Sequence, residues 1–149
     1  LTKTVSRSFA AVVLLCALIS FLKFNHCRLN DFTSPDNYVH ACYTDIPALF
    51  SERGLNTNTF PYLSAANSME YPPVTGLFAW AISFITPNSS NVLYFDLNIL
   101  FLIMMYFISA LILKALAPKY LYLFLASPAV IASIFINWDL IAVASALLT

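Results

Sequence analysis

The sequence predicts an all-α integral membrane protein, a multi-pass helical bundle whose long extracytoplasmic first loop carries short surface helices. Three observations support this prediction. Hydrophobic residues make up 60% of the 149 and charged residues only 9%, whereas soluble domains are about 25% charged. The apolar residues form several long runs, and most ionisable residues lie between the first two. A soluble fold of this size cannot cover so much apolar surface, so we expect lipid to cover part of it.

The charges limit the partners. Seven basic and seven acidic residues give a net charge of zero, which argues against nucleic acid and leaves membrane lipid as the expected partner. The residues between 24 and 73 are net acidic, with these charged side chains: Asp31, Asp36, Asp45, Glu52, Glu70, Arg28 and Arg53.

The first predicted helix covers residues 9–24. Lys3 and Arg7 precede its apolar run, a pattern that is also typical of a secretory signal peptide. We find no A-x-A-like cleavage site before Lys23, and further apolar runs follow, which favours an uncleaved helix. The positive-inside rule then predicts a cytoplasmic N-terminus and an extracytoplasmic loop over residues 25–72 in the cell membrane.

Two of the three cysteines lie in this loop. An extracytoplasmic compartment permits disulfides, so we expect Cys27 to pair with Cys42, with two unpaired thiols as the alternative. His26 and His40 lie near them, but C-x14-C with scattered histidines matches no common zinc pattern. No metal site is therefore predicted.

A short amphipathic helix is predicted from Asp45 to Arg53. Asp45 can serve as its N-cap, Pro47 suits its first turn and Gly54 can end it. Its apolar residues share one face, as expected of a helix on the membrane surface: Ile46, Leu49 and Phe50.

Four further apolar runs predict helices at about residues 73–86, 92–113, 120–136 and 139–149. Alternating spans from a cytoplasmic N-terminus place Lys114 and Lys119 outside, against the positive-inside rule. If residues 74–85 are instead re-entrant or interfacial, the later assignments reverse, and Asp139 faces the same side as Asp45.

The last run is a truncated helix, because about ten apolar residues cannot cross a bilayer. We therefore expect the chain to be the N-terminal part of a longer protein, or a truncated gene product, with a partner chain as one way of completing the fold.

Four segments in order, CYTDIPALFSERGL, a Pro-Tyr pair, EYPPVTGLFAWA and NWDLIAVA, give the chain a family likeness. It resembles the actinobacterial multi-pass membrane glycosyltransferases of the GT-C superfamily, such as the polyprenyl-phosphate-mannose-dependent mannosyltransferases. The resemblance implies transfer of a sugar, with mannose as the expected one, from a polyprenyl-phosphate donor to an extracytoplasmic glycolipid or glycan acceptor. It covers the front part of such an enzyme and implies no certain cofactor, and the divalent metal requirement stays open.

In the family, an acidic residue in the first extracytoplasmic loop acts as general base, and Asp45 stands at the matching place. The family-like Arg-Gly-Leu begins at Arg53, the Pro-Tyr ends at Tyr62, and Glu70 with Tyr71 opens the second helix. Asp139 closes the polar break Asn-Trp-Asp. The resemblance thus implies substrate-binding roles for the following residues: Arg53, Tyr62, Glu70, Tyr71 and Asp139.

The chemistry agrees, since transfer from a lipid phosphate needs a carboxylate to take the acceptor's proton and a cation to stabilise the leaving phosphate. Asp45 can supply the first, and the guanidinium of Arg53 the second. The simpler alternatives are an N-cap for Asp45, a partner of Glu52 for Arg53, and interfacial aromatic residues for Tyr62 and Tyr71. For the whole chain, the alternative interpretations are a transporter or channel subunit or an inactive fragment.

Overall fold

The computed structural model describes residues 7–63, 65 and 68–149. The regular elements in these residues are helices, so the prediction of an all-α fold is confirmed. The α-helices are α1 (Arg7–Leu29), α2 (Asp36–Val39), α3 (Asp45–Glu52), α4 (Pro73–Phe84), α5 (Asn91–Leu116), α6 (Leu121–Leu125), α7 (Pro128–Ser133) and α8 (Asp139–Ala146). Short 3-10 turns lie at Leu55–Thr57, Pro87–Ser89 and Pro118–Tyr120.

Two of the described helices, α1 and α5, are long and apolar enough to cross a membrane. Only 33% and 28% of their most apolar windows are buried within the protein, whereas a core helix of a soluble protein is mostly buried. A signal sequence also passes this test of length and composition, and this alternative applies to α1 because it lies near the N-terminus.

The helix α1 ends later than the predicted residue 24. It continues to Leu29, and His26 and Arg28 occupy its last turn. Cations are favourable at a helix C-terminus, and no proline or glycine follows before Pro35. The long loop therefore covers residues 30–72.

The helices α1 and α5 run antiparallel. At one end Phe9 lies 5.6 Å from Phe107 between ring centroids. At the other end Arg28 forms a two-point ion pair with Asp96, at 2.7 Å from Nε and 2.5 Å from Nη2. We call this second end, where α1 finishes and α5 begins, the loop end of the bundle.

The helix α4 differs from the predicted span over residues 73–86. Its 12 residues cover about 18 Å, against about 30 Å of bilayer hydrocarbon. Near its C-terminus Trp80 Nε1 donates to the Asn58 carbonyl at 2.9 Å, and beyond it Ser89 Oγ donates to the Asn56 carbonyl at 2.7 Å. Both ends of α4 thus lie against the loop, and the chain does not cross the bundle between residues 73 and 90.

The single helix predicted over residues 120–136 is two helices. The break falls at Ser127 (ψ 125°) and Pro128, because proline lacks an N–H and disfavours helical geometry in the residue before it. Beyond the second piece, the Ile136 carbonyl accepts hydrogen bonds from Asp45 N at 2.8 Å and Thr44 Oγ1 at 3.0 Å. The loop and the Asn137–Asp139 break therefore meet at the loop end.

Tyr94 of α5 joins several elements at the loop end. Its ring stacks on Phe50 of α3 at 4.0 Å, and its hydroxyl donates to the Ala79 carbonyl of α4 at 2.9 Å. Its own carbonyl accepts from Asn98, whose side-chain oxygen accepts from Trp138 Nε1 at 2.7 Å. This buried network sets the positions of α3, α4 and α8 on α5.

The fold also gathers the acidic residues at one end of the bundle, whereas the basic residues lie at both ends. The chain's seven acidic residues lie at the loop end: Asp31, Asp36, Asp45, Glu52, Glu70, Asp96 and Asp139. Arg7 begins α1 at the opposite end, where Lys114 lies 4.7 Å from the Phe9 ring and Lys119 follows α5.

Candidate functional site

The helix α3 presents the predicted base. Thr44, rather than Asp45, is its N-cap: Thr44 Oγ1 accepts from Ile46 N at 3.2 Å. The expectation that Asp45 caps the helix is therefore wrong, because the threonine hydroxyl already satisfies the free N–H group. Gly54, with φ 71°, follows the helix in the left-handed conformation that ends many helices. The Asp45 carboxylate is left for other contacts.

The apolar face of α3 is buried in the protein and does not lie on a membrane surface. Ile46, Leu49 and Phe50 are each at most 7% exposed, and Phe50 stacks on Tyr94. The sequence correctly predicted which residues form the apolar face, but this face packs on α5 instead of on the membrane surface. Packing on a rigid helix holds Asp45 at a defined position.

Asp45 lies in an open cavity of about 330 Å³, which we call the Asp45 pocket. Its lining residues come from the middle of the loop and from its end: Tyr43, Asp45, Leu49, Glu52, Arg53, Glu70 and Tyr71. The structure thus gathers Asp45, Arg53, Glu70 and Tyr71, which were singled out from the sequence.

Two phenols hold the carboxylate. Tyr71 Oη donates to Asp45 Oδ2 at 2.5 Å, and Tyr43 is also hydrogen-bonded to Asp45. Burial, followed by the nearby charge of Asp45, raises the pKa of Tyr43 to about 12 and raises the pKa of Tyr71 as well. Both phenols therefore keep their protons at neutral pH and donate to the carboxylate.

Tyr43 was missed from the sequence although a signal for it existed. Thr44 is extended, with φ −146° and ψ 139°. Side chains two residues apart point to the same side of an extended segment, so Tyr43 faces the same pocket as Asp45. Glu52, also missed, lines the pocket from the exposed side of α3, and Leu49 lines it from the buried face.

Arg53 is paired with Glu70 across the pocket. Its Nη2 contacts Glu70 Oε1, and its Nε lies 3.4 Å from Oε2. The hydrogen bond with the partner raises the pKa of Arg53 and lowers that of Glu70. The predicted phosphate ligand thus already holds a carboxylate, and any other anion must compete with it.

Tyr62 lies outside the pocket, unlike the predicted substrate-binding position. Its hydroxyl donates to the Tyr71 carbonyl at 2.8 Å and contacts the Pro72 carbonyl at 3.1 Å. The ring crosses α4 at Gly76, where a Cβ would lie 1.9 Å from the tyrosine oxygen. Tyr62 therefore positions the backbone of Tyr71.

Asp139 lines a neighbouring cavity of about 180 Å³ rather than the Asp45 pocket. Asn137 Nδ2 donates to its carboxylate at 2.9 Å. The Tyr71 ring meets Trp138 edge-on at 5.4 Å between the two cavities, and the Asp139 charge contributes to the raised pKa of Tyr71. Asp139 thus acts on the pocket through the tyrosine.

The first part of the loop carries a second group of polar side chains. Cys27 and Cys42 form a disulfide with a Cα–Cα distance of 6.1 Å. Among the described residues, His26, Asp36 and His40 place donor atoms close enough together for one metal ion. They share no residue with the Asp45 pocket.

Comparisons with models of protein families, with curated proteins and with solved structures found no match to this chain.

Proposed function

We propose that the protein belongs to a membrane glycosyltransferase that moves a sugar, mannose by the family resemblance, from a polyprenyl phosphate to an extracytoplasmic acceptor. Asp45 is the general base. The observation that carries this proposal is the Asp45 pocket, in which two phenols orient a carboxylate beside the Arg53–Glu70 pair. The acceptor is the hydroxyl of a glycolipid or glycan.

The distribution of charge supports the membrane placement. Three of the described basic residues lie at each end, but at the loop end Arg28 and Arg53 are paired with acidic residues. The positive-inside rule therefore favours the cytoplasm for the end with Arg7, Lys114 and Lys119. The acidic loop end, with its disulfide, then faces the extracytoplasmic side, where disulfides persist. Because α4 stays at the loop end, this topology has no conflict with the two lysines.

The reaction needs one proton acceptor. Asp45 takes the proton of the acceptor hydroxyl while that oxygen bonds to the anomeric carbon, and the bond from this carbon to the phosphate oxygen breaks. The products are the glycosylated acceptor, the protonated carboxyl group and the polyprenyl phosphate anion. Hydrogen bonds from Tyr43 and Tyr71 hold the base in one orientation, which favours a defined line of attack.

The leaving phosphate needs compensating charge. Arg53 supplies it by exchanging Glu70 for the phosphate, since guanidinium binds both anions through two parallel hydrogen bonds. Glu70 is the partner that moves away, because its side chain is 58% exposed whereas that of Arg53 is 22% exposed. The pair thus keeps the cation oriented before the donor binds.

A transporter or channel subunit is less well supported. Transporters concentrate polar groups near the bilayer midplane. In this sequence no charged residue lies between Arg7 and Lys23 of α1 or between Asp96 and Lys114 of α5. The ionisable groups gather instead around a pocket at the loop end.

The test is the change Asp45→Asn, assayed in membranes that contain the protein, with labelled polyprenyl-phosphate mannose as donor. We expect transfer to fall at least about 100-fold, because the amide cannot accept the proton. The matched control is Asp31→Asn, outside the pocket, which should retain transfer within about twofold because it leaves the base intact. Undiminished transfer by Asp45→Asn contradicts the role of the base, and no transfer by the wild type favours the inactive fragment.

A further inference from the structure

We propose that His26, Asp36 and His40 form a binding site for a divalent transition-metal ion, with zinc as the expected occupant. His26 Nε2 lies 3.0 Å from Asp36 Oδ2, and His40 Nε2 lies 3.3 Å from Asp36 Oδ1. The three donor atoms all lie within 4.8 Å of one another. This inference does not depend on the proposed transfer reaction.

These separations suit one ion. Zinc binds histidine nitrogen and carboxylate oxygen at about 2.0–2.1 Å, so tetrahedral ligands lie roughly 3.3 Å apart. The two nitrogen–oxygen separations, each measured to a different oxygen of the Asp36 carboxylate, are close to this spacing. An ion bound there replaces the ion pairs between the histidines and the aspartate, with small movements of the three side chains.

The disulfide brings the two histidines together. His26 directly precedes Cys27, and His40 lies two residues before Cys42. The imidazole rings lie 4.0 Å apart between centroids. The spacing C-x14-C matches no zinc pattern when the cysteines are taken as ligands. In the structure the cysteines form the covalent support instead, and the histidines are the proposed ligands.

The surroundings also suit a metal site. Asn30 Nδ2 donates to Asp36 Oδ2 at 3.0 Å and orients the carboxylate, as groups around metal ligands commonly do. The histidine side chains are each 48% exposed and that of Asp36 is 30% exposed, so an ion from solution has access. Two imidazoles select zinc and its neighbours over calcium or magnesium, which prefer oxygen ligands.

The consequence is a second link between α1 and the loop. His26 belongs to the last turn of α1, Asp36 is the first residue of α2 and His40 follows its last residue. With three protein ligands, the fourth position of zinc holds water.

The first test measures zinc and cobalt binding to the metal-stripped full chain in detergent. We expect one equivalent of zinc, with a Kd in the micromolar range or tighter, and cobalt absorption bands typical of four-coordination. Asp36→Asn and His40→Gln should each weaken binding at least about 10-fold, since each removes a ligand. Asp31→Asn is the matched control and should bind as the wild type does. Substoichiometric binding, or equal binding by all variants, overturns the proposal.

A second test uses the unsubstituted chain, so that misfolding of a variant cannot mimic loss of the site. His26 and His40 are the chain's two histidines, and diethylpyrocarbonate modifies free imidazole nitrogen. Zinc should protect both residues from modification, as read by mass spectrometry, and should raise the unfolding temperature through linkage. Equal modification with and without zinc overturns the proposal.

Discussion

The two halves of the long loop are held in different ways. The first half, residues 30–43, is closed covalently by the disulfide between Cys27 and Cys42. The second half, residues 55–72, is held by hydrogen bonds such as those from Tyr62 to the carbonyls of Tyr71 and Pro72. The Asp45 pocket lies between them and takes side chains from both sides.

The difference assigns a role to each half. The covalent half leads directly into Tyr43 and Asp45, so the proposed base is on the restrained side. The other half supplies Glu70 and Tyr71, whose contacts can exchange without breaking a covalent bond. We therefore expect substrate to rearrange the second half and leave the first unchanged.

The largest effect should come from opening the first half. Replacing Cys27 and Cys42 together by serine should lower the free energy of unfolding by about 3 kcal/mol, the loop-closure value for a loop of roughly 15 residues. Detergent-titration unfolding by SDS measures this. Cys16→Ala is the control, because it removes the buried free thiol and no cross-link. If the double serine variant is as stable as Cys16→Ala, the disulfide does not restrain the first half of the loop.

Among changes that affect the second half of the loop, Gly76→Ala should lower the free energy of unfolding most. The new methyl group would overlap the Tyr62 hydroxyl, and such overpacking costs about 1–3 kcal/mol. The same unfolding titration measures the loss. In a Tyr62→Ala background the methyl group has room, so Gly76→Ala should then cost little, and a loss of the same size in both backgrounds contradicts the contact.

The smallest effect concerns the ion pair. The pKa of Glu70 is lowered from its ordinary value of 4.5 by Arg53, so the pair stabilises the fold above that value. The contribution disappears as the pH falls through the lowered pKa. Because Glu70 is mostly exposed, solvent screening limits it to less than about 1 kcal/mol. The free energy of unfolding should change less between pH 7 and pH 3 in Glu70→Gln than in the wild type.

Local patterns in the sequence predicted much of the fold. Apolar runs identified α1, α4 and α5, and the spacing of Ile46, Leu49 and Phe50 identified the buried face of α3. The same method missed the break at Pro128, because the residues around it are apolar on both sides. Hydropathy measures where a chain can be buried and does not register a missing N–H.

The sequence predicted which residues form the candidate site better than it predicted which residues they contact. Asp45 meets the Ile136 carbonyl, and Arg53 meets Glu70. Pairings between distant segments depend on how helices pack, which local periodicity does not contain. The histidine cluster was missed for a related reason, since His26 meets the i,i+4 pair of Asp36 and His40 only after the loop folds back.

In the membrane placement that we propose, Tyr94 sets the depth of the site in the bilayer. Because its ring supports α3 and its hydroxyl holds α4, it couples the positions of the two helices along α5. The height of the Asp45 carboxylate above the bilayer midplane would thereby be tied to one residue of α5. The proposed lipid-linked donor would carry its phosphate at the level of the headgroups, so this one aromatic side chain would help to bring the proposed base and the sugar to the same level.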